Sequence, residues 1–178
     1  MWSQELYREA LLSAAHAHSG QKITGTNLPY IIHCVNVCNE VLHAALLRDD
    51  TDADLCVACS LLHDTLEDTE IPLSFLMEKF GEHVLSGICS LTKNKDLPKN
   101  ERVADSLKRI KEQPEEIWMI KMADRIVNLG PPPENWTKDK RIDYNDEALV
   151  IYEALKDADP NLAARLLQKI EQYKVYTV

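Results

Sequence analysis

Apolar residues recur at intervals of three and four along almost the whole chain, which is the pattern of amphipathic helices. The pattern predicts helices in SQELYREALLSAAHAHSG, PYIIHCVNVCNEVLHAALL, ADLCVACSLLHDTLED, the stretch from Pro72 to Gly81, GEHVLSGICSLT, RVADSLKRIKEQ, PEEIWMIKMADRIVNLG, KDKRIDYNDEALVIYEAL and PNLAARLLQKIEQYKV. No segment alternates apolar and polar residues for long enough to predict a sheet. We therefore expect an all-α fold with about eight to ten helices.

The helix boundaries are marked by residues that start or stop helices. Pro29 and Pro114 suit the first turn of a helix, and Gly20 and Gly130 suit C-terminal stops. Three N-cap candidates precede the third predicted helix: Asp50, Thr51 and Asp52. No repeat, low-complexity tract or long linker divides the chain, so residues 1–178 are predicted to form a single compact domain.

Composition and charge restrict the function classes. The 178 residues are 45% hydrophobic, which is enough for a sizeable core. A formal net charge of -9 argues against a nucleic-acid partner, although a local basic patch or a metal still allows a small phosphorylated ligand. No apolar run approaches the ~20 residues of a membrane span, and the N-terminus lacks a signal-peptide pattern. We expect a cytoplasmic protein without a membrane partner; the oligomeric state does not follow from the sequence.

The cysteines raise the question of a structural metal. Cys34 and Cys38, then Cys56 and Cys59, have spacings with a superficial likeness to a zinc site. Their segments, however, are helical apolar faces without the glycine or turn residues of a zinc knuckle. Because free cysteine is among the most often buried residue types, we favour buried thiols over structural zinc.

Ionisable residues interrupt an apolar segment in SLLHDTLEDT, residues 60–69. Burying His63, Asp64, Glu67 and Asp68 without partners would destabilise the fold strongly. On one continuous helix, His63 and Glu67 are four residues apart, as are Asp64 and Asp68, so successive turns would present each pair together. An imidazole beside a carboxylate is a common ligand pair for a divalent metal, and two further carboxylates could activate a water.

Three further features accompany this segment. His33 lies in the first turn of an apolar helix in PYIIH, and Asp124 lies among apolar residues in IKMADRIVNL, with Asn128 one turn later. A basic segment carries Lys93, Lys95, Lys99, Arg102, Lys108 and Arg109. Taken alone, these features have structural interpretations: a core histidine, an Asp124–Arg125 ion pair, and a solvated helix face for the last two cations. Taken together, the buried charges share one explanation, namely coordination of a cation.

These motifs resemble those of the HD phosphohydrolase superfamily. Within it, the chain is most similar to the hydrolase domain of the Rel/Spo alarmone enzymes, especially the small stand-alone alarmone hydrolases. LPYIIH resembles the family's PYI-x-H element, LLHDTLEDT its HD-x-x-ED element, IKMADRIVNL its K-x-AD-x-x-x-N element, and FGEHVLSGICSLTKNKDLP the stretch in between. The resemblance implies one HD hydrolase domain over residues 1–178. Its reaction would remove pyrophosphate from the ribose 3′ position of (p)ppGpp, giving GDP or GTP.

The resemblance also implies roles for individual residues. The metal would be Mn²⁺, and its ligands would be His33, His63, Asp64 and Asp124. Glu67 and Asp68 would orient and deprotonate the attacking water. Contacts with the nucleotide substrate are expected at four positions: Lys22, Lys95, Asn128 and Tyr144.

Two departures from the family pattern bear on the substrate. Many relatives carry an arginine/lysine run before PYI-x-H, whereas Lys22 is the single cation in GQKITGTNLPY. Relatives often have an arginine where this chain has Gly130, which is followed by three prolines. Adenine alarmones, (pp)pApp, and other 3′-phosphorylated nucleotides therefore stay open as substrates. Two other functions also stay open: an HD phosphatase acting on a nucleoside monophosphate or NADPH, and a non-catalytic alarmone-binding module.

Overall fold

The computed structural model describes residues 2–178, in which we number nine α-helices and one short 3₁₀-helix. The α-helices are α1 (Gln4–Ala17), α2 (Ile31–Ala45), α3 (Ala53–Leu62), α4 (Thr65–Asp68), α5 (Leu73–Leu91), α6 (Arg102–Lys111), α7 (Glu115–Asn128), α8 (Lys138–Leu155) and α9 (Pro160–Tyr173), and Lys174–Tyr176 is the 3₁₀-helix. One isolated antiparallel bridge joins Lys22 to Pro29. The predicted all-α fold class is confirmed. Every helix in residues 2–178 is too short or too polar to cross a lipid bilayer.

Local capping residues explain why the helices begin close to the predicted positions. The side chains of Ser3, Asp52 and Thr137 accept hydrogen bonds from first-turn N–H groups of α1, α3 and α8, respectively. Gly81 separates two helical halves of α5, because its φ of 81° is outside the helical range and is readily adopted by glycine alone. The predicted boundary at Gly81 is therefore confirmed.

One predicted helix is wrong. ADLCVACSLLHDTLED forms two helices, α3 and α4, which are separated at His63 and Asp64. The Thr65 hydroxyl donates to the Leu62 carbonyl oxygen at 2.6 Å, and Asp64 has φ −98° and ψ −2°. Side-chain hydrogen bonds of this kind compete with the helical backbone pattern. The four-residue helical spacing therefore does not apply to His63 with Glu67. It still applies to Asp64 with Asp68, because the Asp68 amide donates to the Asp64 carbonyl oxygen at 3.0 Å.

The helix α3 lies at the centre of the fold and packs against α1, α2, α5 and α7. Nine of its ten residues are buried, which explains why its sequence is apolar on all sides. One hydrophobic cluster draws buried residues from α1, α2, α3, α5, α6, α7, α8 and α9. Because α3 is central and His63 directly follows it, His63 also lies in the protein interior.

The buried cysteines belong to this core. Cys34, Cys38, Cys56 and Cys59 are buried and free, and burial raises the pKa of each thiol. No group of three or more metal-binding side chains within residues 2–178 includes a cysteine. The four thiols are therefore small apolar core groups, as the sequence favoured.

Arg109 does not lie on a solvated face as the sequence suggested. Its guanidinium donates to the carbonyl oxygens of Cys89, Ser90 and Thr92 at 2.6, 3.1 and 2.8 Å and pairs with Asp105 at 2.8 Å. Carbonyl groups in the last turn of a helix lack intrahelical partners. Arg109 therefore caps the C-terminal end of α5, while Lys108 is exposed as predicted.

The tight packing around Gly87 of α5 leads to a stability prediction. A Cβ added at Gly87 would lie 2.6 Å from Ile117 Cδ1 and 2.9 Å from Cys59 Sγ. We expect Gly87→Ala to lower the free energy of unfolding by ~1–2 kcal/mol, because overpacking outweighs the gain in helix propensity. Chemical denaturation measures this change. Gly130→Ala is the control, since no heavy atom lies within 4 Å of the added Cβ; equal stabilities of the two variants would contradict the tight packing at Gly87.

Candidate metal centre and active site

Four ionisable side chains from separate parts of the chain meet in the interior. His33 Nε2 lies 3.3 Å from His63 Nε2, and His63 Nε2 lies 2.9 Å from Asp64 Oδ2. Asp124 Oδ1 lies 3.4 Å from His33 Nε2 and 3.7 Å from His63 Nε2. Both histidines are 3% exposed and Asp124 is 7% exposed. The structure thus brings together the four side chains that the sequence predicted as metal ligands.

The elements around the cluster explain its geometry. His33 comes from the first turn of α2, His63 and Asp64 from the break after α3, and Asp124 from the buried side of α7. His63 Nδ1 lies 2.8 Å from the Ser60 carbonyl oxygen and donates to it, so Nε2 faces the cluster. The helix break is therefore what directs His63 and Asp64 towards α2 and α7.

Outer hydrogen bonds hold the two carboxylates. The Tyr30 hydroxyl donates to Asp64 Oδ2 at 2.5 Å. Lys121 Nζ donates to Asp124 Oδ2 at 3.0 Å, and Asn128 Nδ2 donates to Asp124 Oδ1 at 2.5 Å. The cationic partner of Asp124 is therefore Lys121 and not its neighbour Arg125. Hydrogen bonds of this kind orient metal ligands in known metal sites.

The donor set fits a divalent metal ion. Within residues 2–178, His33, His63 and Asp64 form the one group of three or more such side chains whose ligand atoms all lie within 4.8 Å of one another. Mixed imidazole and carboxylate ligation suits divalent transition metals. A positive ion at this position would also offset the electrostatic cost of burying carboxylates together.

Electrostatic interactions within the cluster shift the pKa values of its members. Burial by itself lowers the pKa of His63, but the Asp64 carboxylate and the hydrogen bond to Asp124 outweigh it and raise that pKa to about 10. Burial favours the neutral carboxyl groups, yet His63 holds the pKa of Asp64 well below its usual range, and Lys121 with the histidines does so for Asp124. The raised pKa of His63 therefore favours a proton on its imidazole at neutral pH, for which a bound metal ion would compete.

Metal binding is therefore expected to tighten as the pH rises. A metal ion needs the unprotonated Nε2 of His63, so its binding releases a proton. Because this pKa is raised from 6.5 to about 10, the competing proton is bound throughout the neutral range. We expect the apparent association constant of Mn²⁺ to rise up to roughly tenfold per pH unit between about pH 6 and 8. Calorimetric titration at several pH values measures it; a constant affinity would contradict the raised pKa.

A cavity of about 110 Å³ lies beside the cluster and contains the two predicted catalytic acids, Glu67 and Asp68. Glu67 accepts hydrogen bonds from the Lys93 amide at 3.0 Å and from Lys93 Nζ at 3.4 Å. Partial burial and the carboxylates of Asp64 and Glu67 raise the pKa of Asp68. A raised carboxyl pKa suits a group that exchanges protons near neutral pH. Both acids are thus placed to contact a molecule in this cavity.

A second cavity, of about 760 Å³, shares Glu67 and Lys93 with the first. Its wall contains Trp136 and Tyr144, whose ring centroids are 5.0 Å apart. Its cationic lining residues are Lys93, Lys99, Arg102 and Lys140. Aromatic faces next to cations are suited to a phosphorylated nucleoside. The two cavities therefore adjoin at Glu67 and Lys93 and together make one candidate binding region.

Arg125 connects the metal cluster to this aromatic wall. Arg125 is 4% exposed; its guanidinium pairs with Glu147 of α8 and lies 4.4 Å from the centre of the Tyr144 ring. Since Arg125 follows Asp124 on α7, it fixes α8 and its tyrosine relative to the cluster. The alternative interpretation of Asp124 as the ion-pair partner of Arg125 is therefore wrong, since Arg125 pairs with Glu147 and Asp124 with Lys121.

The four predicted substrate contacts differ in where they lie. Tyr144 lines the larger cavity and Asn128 the smaller one. Neither Lys22 nor Lys95 is among the residues lining these two cavities. Lys22 Nζ donates to Asn27 Oδ1 at 3.0 Å, and Lys95 Nζ donates to the Glu67 carbonyl oxygen. Their roles at the substrate stay predictions.

Sequence reasoning missed the two residues that connect and line the cavities most directly. Lys93 was one of six cations in a basic segment, and nothing in the sequence singled it out. Trp136 was also missed, although a tryptophan in the polar loop PPPENWTK is unusual and was a recognisable signal. In the structure, Trp136 is half-buried beneath Lys140 Nζ, which lies 4.2 Å from its ring centre.

The segments that carry the two departures from the family pattern lie close together. Gly25, in the connection between α1 and α2, has φ +79°, and a Cβ added there would lie 3.4 Å from the Cβ of Pro133. Pro133 belongs to the proline segment between α7 and α8. The low-charge connection and the proline segment therefore pack against each other at Gly25 and Pro133.

Sequence comparison identifies relatives over nearly the whole chain. No family model matches the sequence. Guanosine-3′,5′-bis(diphosphate) 3′-pyrophosphohydrolase MESH1 of Mus musculus is 28% identical over 169 residues, covering 92% of each chain. The protein of the same name from Drosophila melanogaster is 27% identical over 165 residues, covering 90% of each. A GTP pyrophosphokinase of Myxococcus xanthus is 26% identical over 160 residues, which are 85% of this chain and 20% of that protein.

Structural comparison agrees with the sequence relatives. A metazoan orthologue of SpoT that hydrolyses ppGpp superimposes with a TM-score of 0.84 at 26% identity, covering 97% of both chains. A Listeria monocytogenes protein shares the fold, with a TM-score of 0.65 at 23% identity over 83% of this chain and 99% of that one. The matches run nearly end to end with the stand-alone relatives and cover one fifth of the GTP pyrophosphokinase. The chain is therefore homologous to these small stand-alone hydrolases over about 90% of its length and shares their all-helical fold.

Proposed function

We propose that this protein is a metal-dependent phosphohydrolase that removes the 3′-pyrophosphate from (p)ppGpp, or from its adenine counterpart (pp)pApp. The products are GDP or GTP, or the adenine nucleotides, and pyrophosphate. Relatives matched over nearly their full length bear the name of this activity. The observation that carries the proposal is the meeting of His33, His63 and Asp64 beside a cavity that contains two further acids, Glu67 and Asp68.

We assign the metal ligands as His33, His63, Asp64 and Asp124, and the metal as Mn²⁺. The nitrogen and oxygen donors, their burial and their mutual distances support this assignment. When bound, such a metal lowers the pKa of a water and neutralises charge on the attacked phosphate. Lys121 and Asn128 hold Asp124 in place, and Tyr30 holds Asp64.

The carboxylates transfer the proton, and Lys93 neutralises charge on the substrate. Glu67 or Asp68 accepts a proton from the attacking water, whose oxygen forms a bond to the phosphorus attached to the ribose 3′ oxygen. The bond between this phosphorus and the 3′ oxygen breaks, and the 3′ oxygen takes up a proton. Lys93, which lies between the two cavities, offsets negative charge on the pyrophosphate.

We place the nucleoside in the larger cavity. This cavity meets the smaller one at Glu67 and Lys93 and offers the rings of Trp136 and Tyr144. Stacking on aromatic rings tolerates any base, so guanine and adenine alarmones both remain substrates in this proposal. The cations Lys99, Arg102 and Lys140 are available for phosphates at the 5′ position.

Composition and core structure bear on the domain organisation, the substrate class and the cellular location. One hydrophobic cluster spanning eight helices supports a single HD hydrolase domain over residues 1–178. The net charge of -9 supports action on free nucleotides and not on nucleic acid. We propose a cytoplasmic location for this activity.

A nucleotide panel tests the proposed function. The purified protein is incubated with ppGpp, pppGpp, ppApp, pppApp and NADPH, each with Mn²⁺ and with a chelator, and the products are resolved. Metal-dependent release of pyrophosphate from an alarmone supports the proposal, and the panel gives the base preference. Orthophosphate from NADPH alone would indicate the alternative HD phosphatase, and binding of alarmone without any product would indicate a binding module.

A further inference from the structure

A buried histidine outside both cavities lies behind the proposed active site. His18, at the C-terminal end of α1, is 3% exposed. Its ring packs against Tyr30 with 4.8 Å between centroids, and its Nδ1 lies 2.7 Å from Gln21 Oε1. Its Nε2 is buried without a hydrogen-bond partner. The residue therefore makes two directed contacts, one through the ring face and one through Nδ1.

The ring contact leads to the metal cluster. Tyr30 donates its hydroxyl to Asp64 Oδ2 at 2.5 Å and packs against His33 with 5.1 Å between ring centroids. The His33 and His63 rings are in turn 5.3 Å apart. His18 is therefore the outer end of a row of four rings that ends at the proposed ligands. Removing its ring would leave Tyr30 free to shift and Asp64 less firmly held.

The Nδ1 contact leads to the catalytic acids. Gln21 Oε1 accepts from His18, which leaves the Gln21 Nε2 to donate to the Asp68 carbonyl oxygen at 2.6 Å. Asp68 is the last residue of α4, where carbonyl groups lack helical partners. Gln21 therefore fixes the end of the short helix that carries Glu67 and Asp68.

We propose that His18 is a positioning residue that holds the metal ligands through Tyr30 and the catalytic acids through Gln21. The inference rests on the proposed function and extends it to a residue that does not contact the substrate. Histidine meets both requirements, since it supplies a flat ring and an N–H donor at once. A phenylalanine would keep the ring and would remove the unpartnered Nε2, but it could not donate a hydrogen bond to Gln21.

Two substitutions separate the two contacts. His18→Phe keeps a ring against Tyr30 and loses the donor; we expect Mn²⁺ affinity within about threefold of wild type and kcat at saturating Mn²⁺ lowered about 10- to 100-fold, with KM little changed. His18→Asn keeps a donor for Gln21 and loses the ring; we expect Mn²⁺ affinity lowered about tenfold or more and kcat at saturating Mn²⁺ largely retained.

Gln21→Ala tests the hydrogen bond between His18 Nδ1 and Gln21 independently. It replaces His18→Phe in this test if that variant does not fold. It should reproduce the kinetics of His18→Phe, and the double variant should be no slower than either single variant, because both changes break one chain of hydrogen bonds. The control is His16→Ala, an exposed histidine on the same helix, which should leave Mn²⁺ affinity and kcat unchanged.

The outcomes distinguish this inference from the proposed function. Wild-type kcat in Gln21→Ala, or losses that multiply fully in the double variant, would overturn the link to Asp68. Wild-type Mn²⁺ affinity in His18→Asn would overturn the link to the metal ligands. If the wild-type protein binds Mn²⁺ but cleaves no nucleotide, the proposed function fails, and the Mn²⁺ affinity of His18→Asn alone decides the role of His18.

Discussion

His63→Ala is expected to lose Mn²⁺ binding and to lower turnover by roughly 10³-fold or more, with an unchanged helical circular dichroism spectrum. His63 Nε2 lies within 3.7 Å of ligand atoms from His33, Asp64 and Asp124, so its loss removes one of the two imidazoles that neighbour every other member of the cluster. A catalytic metal supplies several kcal/mol of charge stabilisation in the transition state, and about 1.4 kcal/mol corresponds to a factor of ten. Loss of the metal therefore removes most of the catalysis.

The measurement combines calorimetric Mn²⁺ titration, initial rates with the preferred nucleotide, and thermal unfolding. His43→Ala is a matched control, because His43 is an exposed histidine in the last turn of α2. It should retain both metal binding and turnover. Full activity or wild-type Mn²⁺ affinity in His63→Ala would remove this residue from the metal site.

Glu67→Gln is expected to keep Mn²⁺ affinity and to lower kcat by about 10²- to 10⁴-fold, the usual contribution of a general base. Glutamine has nearly the same shape and can still accept the Lys93 amide hydrogen bond, which is 3.0 Å long in the native protein. It cannot accept a proton from water. The variant therefore changes the chemistry of this position with little change in its packing.

Asp68→Asn, measured in parallel at saturating Mn²⁺, assigns the base. Neighbouring carboxylates titrate as a pair, so a pH–rate profile of the wild type alone cannot separate them. A large loss in Glu67→Gln with a small loss in Asp68→Asn assigns proton transfer to Glu67. The reverse result would transfer that role to Asp68, whose pKa is raised. Undiminished turnover in both variants would exclude both carboxylates.

Most of the helices could be predicted because their signals are local. Proline, glycine and capping residues decide where a helix begins or ends, and the break at Gly81 follows from a backbone angle that other residues avoid. The break at His63 and Asp64 could not be predicted, since the surrounding residues are apolar or helix-tolerant. It depends on the Thr65 hydrogen bond and on packing against α2 and α7, which are distant in sequence.

The candidate site divides in the same way. The proposed metal ligands lie in three short sequence motifs. The residue types and the order of these motifs were sufficient to predict the ligands before any distance was known. The positions of Lys93, Trp136 and His18 matter only through tertiary packing, which places Lys93 against Glu67 and His18 behind Tyr30. Residue type gave no means of separating Lys93 from the other cations in its segment. Lys93 differs from those cations in the structure because it contacts Glu67 and lines both cavities.

The contact between Gly25 and Pro133 has a consequence for the evolution of this branch. The two connections it joins, from α1 to α2 and from α7 to α8, lie about one hundred residues apart in sequence. An insertion in one of them would push against the other, so tolerated changes in their lengths should arise in pairs among homologues. At Gly25 itself the positive φ disfavours any side chain whatever the space beside Pro133, so substitutions among homologues should favour residues such as asparagine and aspartate that tolerate this backbone region.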